Sequence, residues 1–324
     1  MSESIECDIE HIRMNEVSYE ALSYEWGSPA DDDPAILLNG HFFTVRRNLF
    51  DALLTFRREE RQHYDLRIWI DALSINQSDT RERNHQVEIM GMIYRRATKV
   101  LIWLGMTDSH IAHIIEEINN PLDGIYMGIE PVWNDTIYSA IIELCQKSYW
   151  NRVWVQQEVF LGGKIYIISS WEDLLNYERF DLILGLMTRD DSLCGKEISA
   201  TIRQSAANAL ITRKRLPMDS SPLITWLRLA CHRGLKTSEP RDLIYAMLGI
   251  SSDCQDGGIE PDYDKPLMDV YLETIHFCGL HKPGQENKRF RKTLAEKLGL
   301  PWDGDMETRI QEYRQQKPTV RRED

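Results

Sequence analysis

Residues 66–105, LRIWIDALSINQSDTRERNHQVEIMGMIYRRATKVLIWLG, constrain the fold of this chain more than any other stretch. Ile68-Trp69-Ile70 is a short apolar run that ends on Asp71, and a polar loop follows through Asn76 and Gln77. Asp79 and Glu82 have the spacing of a capping box, in which the Asp79 carboxylate accepts early helical amides while Glu82 reaches back. Val87, Met90, Ile93, Tyr94 and Ala97 then recur on one helical face. Val100 to Leu104 is a second continuous apolar run, stopped by Gly105. Two buried strands joined by a covering helix make a βαβ unit, with parallel strands and a right-handed crossover. This stretch therefore predicts an α/β core.

The flanking sequence extends that pattern. Ala21 to Trp26 reads as a strand ending on Gly27, and Asn39-Gly40 between apolar runs predicts a hairpin over residues 36–45. Asn48 stands where a helix cap would precede Leu49, Ala52, Leu53 and Phe56. After a loop-like insertion over residues 105–134, helices are expected near residues 136–146 and up to Glu158. Gly162-Gly163 ends the second of these, and a strand runs from Lys164 to Ser169. Strands alternating with helices from residue 21 to residue 169 predict a mostly parallel sheet with flanking helices. Beyond Trp171 the pattern turns helical, at Leu174 to Leu186, Ile198 to Arg215, Leu223 to Arg233, Leu243 to Leu248 and Leu267 to Cys278. Gly249 has the place of a helix-ending residue. The expected organisation is an α/β core over residues 15–170, a helical extension over 171–280 and a charged, partly ordered tail over 281–324.

Composition narrows the function. A formal net charge of −13 over 324 residues argues against binding to nucleic-acid backbones, which needs clustered Lys and Arg. Six cysteines are scattered with no CxxC pair, the pattern of reduced thiols. The first ten residues, MSESIECDIE, carry no apolar signal region, and no apolar run reaches the length of a membrane span. A soluble, cytoplasmic protein is the expectation. No GxSxG elbow, P-loop or GxGxxG fingerprint occurs, so serine hydrolase, NTPase and dinucleotide dehydrogenase readings fall away. His110 and His113, followed by Glu116 and Glu117, lack a third ligand at a known metal spacing and read as a solvated helix face.

Several motifs, in order, resemble the fungal heterokaryon incompatibility (HET) domain. They are ALSYEWG at 21–27, WIDALSINQ at 69–77, ERNHQVEIMGMIYRRATKVLIWLG at 82–105 and SYWNRVWVQQE at 148–158. EPRDLIYAMLGI at 239–250 and IEPDYDKPLMDVY at 259–271 resemble segments that follow the domain in many of its proteins. The resemblance implies a role in programmed cell death after fusion of unlike fungal cells. It also implies a core similar to Toll/interleukin-1 receptor (TIR) domains, which are flavodoxin-like. ALSYEWG then stands for the first TIR strand, and Asp71 for the Asp often found after the second. Trp154 and Glu158 have the W-x-x-x-E spacing of NAD-cleaving TIR domains, whose Glu is catalytic. The hairpin and the insertion after Gly105 depart from a minimal TIR domain.

The site expected from these readings lies beyond the carboxyl ends of the strands, where open parallel sheets take ligands. Glu158 is the catalytic candidate, or else a helix residue in an ion pair. Ser23, Tyr24, Glu25, Trp26, Gly27, Asp71, Asn76, Gln77 and Trp154 are the substrate-binding candidates. Asp71 either contacts substrate or caps its loop; Asn76 and Gln77 either bind ligand amides or brace a turn. Trp26 either stacks on a ring of the substrate or packs in the core, while Trp150 and Trp154 pack the helix onto the sheet. The resemblance implies NAD as substrate and homo-oligomer formation on activation; no cofactor and no metal are expected. It also implies an incompatibility or NLR-type partner protein. Two functions stay open: an NAD glycohydrolase, and a signalling module that triggers death by self-association without chemistry.

Overall fold

The computed structural model describes residues 4–59, 67–105, 134–168, 174–189, 193–215, 220–255 and 257–316. The metal reading at His110 and His113, and most of the insertion after Gly105, lie outside these. The chain divides into two compact units. The first comprises residues 1–76, 92–150 and 158–216, and the second residues 77–91, 151–157 and 217–324. Among the described residues, no helix is long and apolar enough to cross a membrane.

The first unit holds two sheets. Strands β1 (Glu6–Cys7), β3 (Ala35–Leu38) and β4 (His41–Thr44) form the smaller, in the order β1-β3-β4. The β3–β4 hairpin turns at Asn39-Gly40, as the sequence predicts. Both residues have positive φ, 49° and 77°, which matches the right-handed twist of the strands and suits Asn followed by Gly. The larger sheet runs β5-β2-β6-β7-β8, from β2 (Glu20–Tyr24), β5 (Ile68–Trp69), β6 (Val100–Trp103), β7 (Ile165–Ile168) and β8 (Leu174–Asn176). Its first four strands are parallel, and β8 is antiparallel to β7.

Side chains alternate along β2, so Leu22 and Tyr24 enter one core. There they join Ile36, Leu49, Phe56, Ile70, Leu101 and Trp103, with the helix Arg47–Glu59 covering the sheet. The predicted crossover helix spans Thr80–Arg96; its Val87, Met90, Ile93 and Tyr94 are buried, as is Ala97 just beyond it. The Asp79 carboxylate accepts from the amides of Arg81 and Glu82, at 2.9 and 3.2 Å.

Three expectations need correction. Leu174 to Asn176 is an edge strand before the helix Tyr177–Met187, so the mostly parallel sheet ends on an antiparallel strand. Three residues are too few to show a strand period beside a helix. The helix expected over Ile198 to Arg215 is two, Leu193–Gln204 and Ala206–Lys214; Ser205 breaks the run by accepting from the Asn208 amide at 3.1 Å. All three helices group with the sheet in the first unit. Gly249 follows the helix Asp242–Leu248 with φ −66°, an ordinary value. Its glycine is required by close approach, since a Cβ there would sit 2.5 Å from Gln157 Oε1 and 3.3 Å from the Gly91 Cα.

The charged segment after residue 281 carries two helices, Gln285–Lys297 and Met306–Gln316. Leu294, Ala295, Leu298, Met306 and Ile310 are buried among their charges. Arg291 joins the two helices by a two-pronged ion pair to Glu307, at 2.8 and 2.9 Å.

Candidate functional site

The first unit gathers polar groups at the carboxyl end of β2. Ser23 is on the face opposite Leu22 and Tyr24, and its hydroxyl donates to Glu158 Oε2. The same Oγ lies 2.5 Å from the Tyr149 hydroxyl. Tyr149 comes from the single-turn helix Ser148–Asn151, and Glu158 from the helix Val155–Leu161. Ser23, Tyr149 and Glu158 are all buried, Glu158 with 3% of its surface exposed. The far end of the Glu158 helix is fixed by Lys214, whose ammonium donates to the carbonyls of Val159, Phe160 and Gly162 at 2.8, 3.2 and 3.0 Å. A cation at that end also meets the negative end of the helix dipole.

Glu25 is two residues beyond Ser23 and half-buried. Its carboxylate accepts from the Ser148 hydroxyl. Its carbonyl accepts from the Asn48 side-chain amide at 2.6 Å, while Asn48 Oδ1 accepts from the Trp103 indole at 2.9 Å. Asn48 therefore ties the ends of β2 and β6 together. The helix cap expected of it is not what it forms, because the helix already begins at Arg47.

The other sequence candidates separate. Trp26 donates its indole N–H to Asp71 Oδ2 at 2.8 Å, and Asp71 Oδ1 accepts from the Ala72 amide at 2.7 Å. Of the two roles open to Asp71, bracing the turn after β5 is the one these bonds describe. Tyr24 is packed in the apolar core. Gly27, Asn76 and Gln77 are exposed. Trp154 belongs to the second unit, in a different polar cluster.

That cluster is built on Asp242, a nearly buried carboxylate. It accepts from the Tyr263 hydroxyl at 2.6 Å, from Thr237 at 3.2 Å and from the Trp154 indole. Burial pushes the Asp242 carboxyl above its usual range, against these donors and the charge of Arg83. Burial likewise raises Tyr263, with the neighbouring Asp242 charge adding to the effect. Asn84 completes the arrangement by accepting from the Tyr263 amide at 3.0 Å. Arg241, next to Asp242 in the chain, pairs with Glu239 at 2.6 Å and donates to the Lys265 carbonyl. Among the described residues, no three His, Cys, Asp or Glu side chains stand close enough to hold a metal.

Sequence reasoning missed Ser148, Tyr149 and Asn48. Ser148 and Tyr149 lie in the SYWNRVWVQQE motif beside Trp150 and Trp154. A polar tip on a buried aromatic was the available signal.

The first unit is thus an α/β domain with a carboxylate and hydroxyl cluster at the carboxyl end of a strand paired on both sides. The chain matches, over residues 19–158, the model of the family described as heterokaryon incompatibility protein (HET). It is 26% identical over 319 residues to heterokaryon incompatibility protein 6, OR allele, of Neurospora crassa, in an alignment covering 79% of this chain. The chain spans about half of that relative's length, 46%. No solved structure matches it.

Proposed function

We propose that this chain is a cytoplasmic cell-death effector of heterokaryon incompatibility that acts as a TIR-like NAD glycohydrolase. The observation that carries the reading is the Glu158 carboxylate at the carboxyl end of β2, hydrogen-bonded by Ser23. The strand order of the larger sheet supports it. Numbered along that sheet alone, the order is 2-1-3-4-5, that of flavodoxin-like folds. Such folds take ligands where the order reverses, here between β2 and β6, and Asn48 stands at that point.

The chemistry asks little of the protein. Water replaces nicotinamide on the ribose carbon, giving ADP-ribose, nicotinamide and a proton. The pyridinium departs neutral and needs no general acid. Positive charge grows on the sugar, and one carboxylate beside it stabilises that charge. Glu158 takes this role and Glu25 the ribose hydroxyls. Activation brings copies of the chain together, under an incompatibility or NLR-type partner. Incubating the pure protein with NAD and measuring free nicotinamide tests the reading. No release over a wide range of protein concentration sinks it.

A second reading, a signalling module without chemistry, is favoured by one feature. Glu158 is 3% exposed and engaged by Ser23, so its carboxylate faces protein. On that reading, overexpression stays toxic in a Glu158→Gln variant.

A further inference from the structure

We propose that Tyr149 and Ser23 form a one-way hydrogen-bond chain that positions the Glu158 carboxylate. The proposal rests on Glu158 as the acting group of the glycohydrolase. Its direction follows from counting protons. An ionised carboxylate only accepts, and a serine hydroxyl has one hydrogen to give. Ser23 donates that hydrogen to Glu158 Oε2, so the 2.5 Å contact between Ser23 and Tyr149 has the tyrosine as donor. The chain runs Tyr149 to Ser23 to Glu158.

Burial gives it force. With all three side chains almost wholly removed from solvent, water cannot replace a lost link. Each donor polarises the next in such surroundings. The ring of Tyr149 is itself held edge-on to Trp150, with centroids 5.0 Å apart. Its neighbour Ser148 donates to Glu25, so one short turn aims both carboxylates at the end of β2. Tyr149 and Ser23 act through Glu158 and are positioning residues. For Ser23 this replaces the substrate contact expected from the sequence.

A merely structural cluster and a positioning chain differ in what their loss changes. Tyr149→Phe keeps the ring and removes only the hydroxyl. We expect kcat for NAD cleavage to fall about tenfold, with KM little changed. Ser23→Ala should cost more, and Ser23→Thr should restore much of the loss because it returns the hydroxyl. Donors to a carboxylate favour its charged form. The acid limb of the pH profile should therefore move to higher pH in both damaged variants.

A readout independent of activity separates this proposal from the glycohydrolase reading. The side-chain carboxyl resonance of Glu158 in 13C-labelled protein is assigned by its loss in Glu158→Gln. Its titration midpoint should move upward in Tyr149→Phe and further in Ser23→Ala. If the wild type releases no nicotinamide, the glycohydrolase reading falls, and this titration alone decides the chain. An unchanged midpoint in both variants overturns the positioning role. So does normal kcat with an unchanged pH profile in Tyr149→Phe of an active enzyme. Failure of both variants to fold also overturns it, since the chain would then serve the core alone.

Discussion

The guanidinium of Arg83 lies 3.4 Å from the centre of the Tyr263 ring, and the Tyr263 hydroxyl in turn donates to Asp242. One cation thus covers the ring that holds the buried carboxylate. Arg83→Ala removes the stacking and a positive charge that acts on Asp242. It should cost about 1–2 kcal/mol in chemical denaturation. Arg83→Lys should recover only part of this, because an ammonium cannot lie flat on the ring.

Asp242 also sets a pH dependence. Burial raises its carboxyl above the ordinary 3.8, so the folded chain binds this proton more tightly than the unfolded one. Its contribution to stability is fully present below 3.8 and is lost as pH rises through the folded value. The melting temperature of the wild type, relative to Asp242→Asn, should therefore fall with rising pH across that window. A difference that grows with pH would reverse the sign and discard the argument.

Glu158→Gln keeps size and reach and deletes the charge. If Glu158 stabilises the ribosyl cation, NAD cleavage should fall on the order of 10²–10³. Gln and Glu have nearly equal helix propensity, so the melting temperature should stay close to wild type. A folded variant that cleaves NAD at a near-normal rate removes this residue from the mechanism.

Gly249→Ala drives a methyl to within 2.5 Å of Gln157 and 3.3 Å of the Gly91 backbone. Overpacking of that kind costs roughly 1–3 kcal/mol. Thermal unfolding should show the loss although the backbone angles at residue 249 suit alanine.

Cys145 is buried, and desolvation pushes its thiol up to about 12; Cys231 is raised to about 11 for the same reason. Only the thiolate reacts with alkylating agents. Iodoacetamide at neutral pH should leave both unmodified in the folded protein and label both in urea, as read by peptide mass mapping.

The parts of the fold legible in the sequence were those written in local periods. The apolar face from Val87 to Ala97, the Asp79 cap and the Asn39-Gly40 turn each need only a few neighbouring residues. Asn48 shows the limit, since a cap and a bridge between two strand ends use the same side chain. The cluster of Ser23, Tyr149 and Glu158 joins three segments far apart in the chain, and no local period encodes such pairing. Trp154 likewise shares the W-x-x-x-E spacing with Glu158, while its indole meets a carboxylate 88 positions later, at Asp242.

Strand β2 is bonded on both sides, with Ala21 opposite both Trp69 and Val100 and Ser23 opposite Ile102. Side chains alternate with a period of two, so a shift of one residue exchanges the faces. Losing a single residue before Ser23 would turn Leu22 and Tyr24 toward Glu158 and thrust Ser23 into the apolar core. Insertions or deletions in this strand must therefore come in even numbers to keep a hydroxyl beside the carboxylate. Relatives that differ there in length by one are expected to have lost the hydroxyl contact altogether.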